Sequence, residues 1–296
     1  MRYLPVLCVL LIPILACTDV PEKQPDQTAT HVASSASPVA STDGLPIAFT
    51  QAGNGDVSVV LIHGWMCDQS YWDNQVPDLA ESYRVVTIDL GGHGKSGSDR
   101  DGWPLEMFAE DVRAVVNHLN LDPVILVGHS MGGPVAVQAA KLLGDRVLGV
   151  VGVDTFQNVA AEYDEDQMAQ FIQAMEADFV TTCSAFVGDM FPPDADATLV
   201  QKIVSDMCNG PASVGIPLMK QFVDADLRAL FDGVSVPIRA VNADRWPTDV
   251  QANQEHIEDF DAVILEGAGH FLMMEEPEAF NSLLAGALLE VAHSGL

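Results

Sequence analysis

Basic side chains are scarce in this chain: 13 lysines and arginines stand against 42 aspartates and glutamates over 296 residues, a net charge of −29. Such a surface repels phosphate backbones, which excludes nucleic acid as a partner and favours uncharged or cationic ligands. Absent too are a histidine and cysteine cluster with metal-ligand spacing and a glycine-rich loop of the phosphate-cradling pattern. No cofactor is therefore expected. Cysteine is confined to five positions. The apolar run from Tyr3 to Leu15 is too short to cross a bilayer as a mature helix and is interrupted by Pro5 and Pro13. What the chain does have is 48% hydrophobic residues, enough to bury a large core in one domain with an insertion, or in two domains.

The N-terminus reads as a targeting segment over residues 1–16. Arg2 supplies the positive charge, Tyr3 to Leu15 the apolar stretch, and Ile14-Leu15-Ala16-Cys17 a small residue before a cysteine. This ending resembles a bacterial lipoprotein signal, which implies a lipidated Cys17 and a membrane anchor in the cell envelope. Thr18, where an aspartate would signal inner-membrane retention, points to the outer membrane; secretion without a lipid is the alternative. Residues 17–43 are rich in Ala, Ser, Thr, Pro and Gln without apolar periodicity, and read as a disordered tether of about 25 to 30 Å rms reach. With Cys8 removed and Cys17 lipidated, Cys183 and Cys208 are candidates to pair under oxidising conditions, leaving Cys67 a free thiol.

The chemistry concentrates in four short stretches. Val124 to Val127 is an apolar strand running into Gly128-His129-Ser130-Met131-Gly132-Gly133, and Pro134 with the Ala-rich run to Leu143 suits a helix. A serine held on a tight strand-to-helix turn is lifted towards a base, with glycines where side chains would clash. Upstream, Val57 to Ile62 ends in His63-Gly64-Trp65, where the Trp65 amide can join that of Met131 in holding an oxyanion. His63 is expected to tie that loop down, and Asp89 and His93 to scaffold the turn Leu90 to Ser96. Downstream, Val263 to Glu266 precedes Gly267-Ala268-Gly269-His270-Phe271, making His270 the expected general base.

In this order the four stretches resemble the alpha/beta-hydrolase fold superfamily, in its serine hydrolase and esterase-like branch, from about Leu45 to the C-terminus. The resemblance implies an eight-stranded, mostly parallel α/β sheet with helices on both faces and a triad in the order Ser, acid, His. It also implies a core over 44–156 and 234–296, with a helical cap at 157–233 inserted after the sixth strand. The acid is expected at Asp244, past the strand Pro237 to Asn242. The family's turn there is Gly-x-x-Asp, whereas this chain has Asn242 for the glycine and its aspartate one residue early. Asp154, ending the strand Val147 to Val153, is the alternative, and Asp249 stands behind both.

Met168, Phe171, Ile172, Met175 and Phe179 recur at helical spacing in the cap region, as do Leu218, Met219, Phe222 and Val223. With Trp65, Met131 and Phe271 they suggest an apolar acyl or alcohol pocket. The expected activity is hydrolysis of a small apolar ester or lactone through an acyl-enzyme. Amide, thioester, C–C bond and perhydrolysis chemistry stay open, as does a binding or sensing lipoprotein that has lost turnover on the same scaffold.

Overall fold

The computed structural model describes residues 34–35, 37–161 and 164–294. The signal segment, Cys17 with its lipid, and the tether as far as residue 33 lie outside the described residues. Among the described residues ten strands run in chain order: β1 Ser34–Ser35, β2 Val39–Ala40, β3 Pro46–Ile47, β4 Phe49–Ala52, β5 Ser58–Ile62, β6 Arg84–Ile88, β7 Val124–His129, β8 Val147–Val153, β9 Ile238–Ala243 and β10 Phe260–Leu265. Eight of them form one sheet in the order β1-β4-β6-β5-β7-β8-β9-β10, and β2 pairs with β3 separately. The six strands from β6 to β10 in that order are parallel, while β4 runs antiparallel to both its neighbours.

The central strands β5, β7 and β8 are buried at every position. That explains their continuous apolar runs: a parallel sheet covered on both faces has no polar side to alternate with. The covering helices are α1 Val76–Leu79, α2 Leu105–His118, α3 Gly132–Leu143 and, after the cap, α9 Val250–Gln254, α10 Leu272–Glu275 and α11 Pro277–Ser294. Between β8 and β9, after the sheet's sixth strand in chain order, come the cap helices α4 Glu165–Ala177, α5 Phe179–Gly188, α6 Ala197–Cys208, α7 Ala212–Asp224 and α8 Leu227–Leu230. Of the first cap stripe, Met175 and Phe179 are buried and Phe171 is partly so; of the second, Leu218 is buried.

The tether ends earlier than residue 43. Ser34 and Ser35 pair with Gln51 and Thr50, and Val39 and Ala40 with Ile47 and Pro46. Ser41 donates to Asp111 at 2.6 Å, and Asp43 accepts from Arg100 at 2.6 Å, while Arg100 also holds Asp111 at 2.6 Å. The physical reason is twofold: an open edge on β4 recruits a partner strand, and a buried Arg–Asp pair needs every remaining donor and acceptor satisfied.

Cys183 on α5 and Cys208 on α6 are joined in a disulfide, with Cys67 free and buried. Closing a loop of 25 residues stabilises the folded state by about 3 kcal/mol on chain-entropy grounds. Reduction, or Cys183→Ser, is expected to lower Tm by several degrees, read by calorimetry with and without reductant. An unchanged Tm would show the cap needs no such link.

Candidate active site

Ser130 lies at the tip of the turn between β7 and α3 with φ of 51°, in the left-handed region that non-glycine residues rarely occupy. Its amide donates to the Val153 carbonyl at 2.9 Å, and its own carbonyl accepts from Gly133 at 2.9 Å. A methyl on Gly128 would stand 2.1 Å from the Gly132 carbonyl oxygen, and one on Gly132 would stand 2.4 Å from that of Ile62. Only hydrogen fits at either place, so the two glycines allow β5, β7 and α3 to close around the serine.

The loop after β5 lies beside this turn: a methyl on Gly64 would come within 3.2 Å of the Ser130 Cβ. Neither the Trp65 amide nor the Met131 amide has a hydrogen-bond partner among the described residues, although both residues are buried. The loop is held by imidazoles. His63 donates from Nδ1 to the Gly64 carbonyl at 2.8 Å and accepts the Leu90 amide on Nε2 at 3.0 Å. His93 donates to the Gly91 carbonyl at 2.9 Å and accepts the Met66 amide at 3.3 Å. Asp89 accepts from the Gln69 amide, the Gln69 side chain and the Lys95 amide, each within 2.9 Å. All three residues are committed to the scaffold.

Because these rings are wholly enclosed, burial drives their pKa down, to about 4 for His63 and about 3 for His93, with the neighbouring His63 adding to the effect on His93. The unfolded chain would protonate them near the ordinary value of 6.5. Below that pH the unfolded state binds more protons, so stability falls as pH drops from about 6.5 towards 4, on the order of 1 kcal/mol per unit for each ring. Tm measured from pH 7 to 4.5 is expected to fall steadily, and His63→Gln should flatten the slope.

On the other side of the turn, His270 follows β10 and presents Nδ1 to Asp154 Oδ2 at 2.5 Å. Asp154 directly follows β8, is 2% exposed, and its Oδ1 accepts the Ala243 amide at 3.0 Å. The expectation of Asp244 is corrected here: Asp244 is exposed, and its Oδ1 takes the Gly267 amide at 2.9 Å instead of the imidazole. Asp249 caps α9 through the Ala252 amide. The departure at Asn242 has a physical reason. Its buried side chain accepts the Thr155 amide at 3.1 Å and donates to Thr248 at 2.9 Å, steadying the backbone just past Asp154, where φ is 44°. The end of β9 thus supports an acid carried by β8.

Several groups with no warning in the residue pattern converge on His270. His129, the residue before Ser130, donates from Nε2 to the His270 carbonyl at 2.9 Å, and the two rings lie 4.7 Å apart. Burial keeps His129 neutral by pushing its pKa well down. The His270 amide donates to the Met190 carbonyl in the cap at 3.0 Å. Phe191 stacks on Phe271 at 5.1 Å, and Trp246 meets the His270 ring edge-on at 5.8 Å. Across the site, Trp65 donates its indole N–H to the Gly215 carbonyl of α7 at 2.9 Å and packs edge-to-face on Phe179 and Phe186, each at 6.2 Å. Cys67 donates to the Trp65 carbonyl, and burial pushes its thiol pKa up, away from reactivity.

The strand order, the turn at Ser130 and the helical insertion after β8 together leave one architecture. The fold is the alpha/beta hydrolase fold. A family model of that description, alpha/beta hydrolase fold, matches residues 57–182. Among solved structures the chain is similar to a bromoperoxidase from Bacillus anthracis, with a TM-score of 0.76 and 24% identity over 86% of this chain and 99% of that one. In sequence it is 28% identical to the Karrikin insensitive 2 receptor CA of Petunia hybrida, over 64% of this chain and 74% of that protein. It is 26% identical to 3-oxoadipate enol-lactonase 1 of Acinetobacter baylyi, over 77% and 87% respectively. No His, Cys, Asp and Glu group able to hold a metal ion occurs among the described residues.

Proposed function

We propose that the protein is a serine hydrolase acting on a small, fairly apolar carboxylic ester or lactone through an acyl-enzyme. The observation that carries this reading is the buried His270–Asp154 pair, packed through His129 against a serine on a left-handed turn. Ser130 Oγ attacks the carbonyl carbon, and its proton passes to His270 Nε2. Asp154 fixes the tautomer that leaves Nε2 free and stabilises the imidazolium. The Trp65 and Met131 amides take the oxyanion, each worth about 3 to 4 kcal/mol in the transition state. His270 then protonates the leaving alcohol, and in the second half of the cycle it draws a proton from water as that water attacks the acyl carbon.

The Ser130 hydroxyl makes no hydrogen bond among the described residues, which is common before substrate draws nucleophile and base together. An apolar substrate suits the buried Trp65, Met131 and Phe271. The lactonase relative fits the same substrate class. An ester, lactone, thioester and amide panel, run beside Ser130→Ala, tests the reading. Turnover of esters or lactones that is lost in the variant is expected, and turnover unaffected by the variant would refute it.

The receptor relative favours a second reading, a sensing protein on the same scaffold. Tight ligand binding without turnover would select it. We further propose export with a lipid on Cys17, a reading supported by the disulfide, which suits an oxidising compartment. Mass spectrometry of the mature N-terminus is expected to find a lipidated cysteine, and a mature chain starting unmodified would contradict it.

A further inference from the structure

We propose that Glu275 is a positioning residue for the base, clamping the backbone on both sides of His270 and setting a second carboxylate behind the imidazole. The inference rests on the hydrolase reading for its consequence and on geometry for its content. Glu275 closes α10, five residues past His270. Its Oε2 accepts the Gly269 amide and its Oε1 the Phe271 amide, each at 2.9 Å. With the His270 amide on Met190 and its carbonyl on His129, the three successive amides from Gly269 to Phe271 and the His270 carbonyl are all bound. Gly269 is pressed into this clamp, since a methyl there would lie 2.9 Å from Glu275 Oε1 and 2.6 Å from the Met190 carbonyl oxygen.

A bidentate carboxylate on two adjacent-but-one amides is a costly way to hold a loop. Burial raises the Glu275 pKa, and the two amides and the nearby His270 oppose that rise. A neutral side chain could accept one of these amides without the desolvation penalty. What the charge adds is electrostatic. The groups against the ring are Asp154 after β8, His129 of β7, the neighbouring Phe271 and Trp246 from the β9–α9 loop, which Arg245 covers at 5.5 Å, while Glu275, bound to the amides on either side, interacts with His270 through its charge. His129 is neutral, so two carboxylates support the imidazolium that forms when Ser130 gives up its proton.

The Gln variant removes the charge, keeps the size, and turns one acceptor into a donor that faces an amide. In the full-length Ser130→Ala background, where no turnover is needed, NMR titration of the His270 ring is expected to shift to lower pH by about half a unit or more on Glu275→Gln. With Ser130 present, phosphonylation by a fluorophosphonate is expected to slow about tenfold at unchanged KM for esters. An unmoved titration together with an unchanged labelling rate would overturn the proposal. Should Glu275→Gln not fold, Glu275→Asp keeps the charge but loses the reach across both amides. It is expected to slow labelling while leaving the titration in place, and a wild-type labelling rate would overturn the clamp. Because the titration does not depend on turnover, a wild-type protein without hydrolytic activity would fail the function and leave this test readable.

Discussion

Asp154→Asn is expected to lower kcat for an activated ester by about three to four orders of magnitude, whereas Asp244→Asn should leave it close to wild type. The carboxylate at 154 accepts the imidazole N–H at 2.5 Å from a nearly solvent-free position. An asparagine amide there would present either a donor to Nδ1–H or the wrong tautomer to the serine, and the imidazolium would lose its buried counter-charge. Among the described residues the Asp244 side chain accepts the Gly267 amide alone, a role that the asparagine carbonyl oxygen can keep. Side-by-side kcat values for the two variants check the assignment. A large loss at Asp244 with near-normal turnover at Asp154 would reverse it.

That contrast also marks where sequence reasoning reached its limit. The turn at Ser130 was legible because its constraints are local: an apolar strand, two glycines at fixed offsets and a helix start each carry their own signature. His270 was legible for a similar reason, delivered by a glycine-rich turn at the end of an apolar strand. The carboxylate that meets His270 was not, since the contact spans 116 positions and the resemblance points to the end of β9. Asn242 was the visible clue. A buried amide where a glycine is expected signals that the end of β9 is engaged in support of its neighbour.

Other features had no local signal at all. Glu275, Met190 and His129 act on backbone groups of the His270 loop, and a hydrogen bond to the backbone leaves no periodic trace in the residue that makes it. The strands at Ser34–Ser35 and Val39–Ala40 have no sequence signature because strands two residues long cannot show alternation. The partners that fix this segment, Asp111 and Arg100, lie far along the chain.

The second large effect expected is on stability. Gly128→Ala would drive a methyl to 2.1 Å from the Gly132 carbonyl oxygen and 2.6 Å from the Gly133 amide nitrogen, both backbone atoms of the serine turn. Neither can retreat without moving α3 from β7, so a loss of about 3 kcal/mol or more is expected, with little soluble protein and no turnover. Gly286 provides the contrast. It sits exposed within α11 with nothing within 4 Å of an added methyl. Gly286→Ala should therefore raise stability by about 0.5 to 1 kcal/mol, since alanine loses less backbone freedom in a helix. Denaturant midpoints of the two variants measure both effects, and a tolerated Gly128→Ala would mean that the turn relaxes more easily than its contacts imply.

The central claim, that the hydroxyl at Ser130 is a nucleophile activated by His270, is tested most directly by treating the folded protein with a fluorophosphonate and mapping the adduct by peptide mass spectrometry. A single modification on the peptide carrying Ser130, lost in His270→Ala, is the result expected. A folded, disulfide-intact protein that takes no label at Ser130, or takes it equally well without the imidazole, would contradict the hydrolase account.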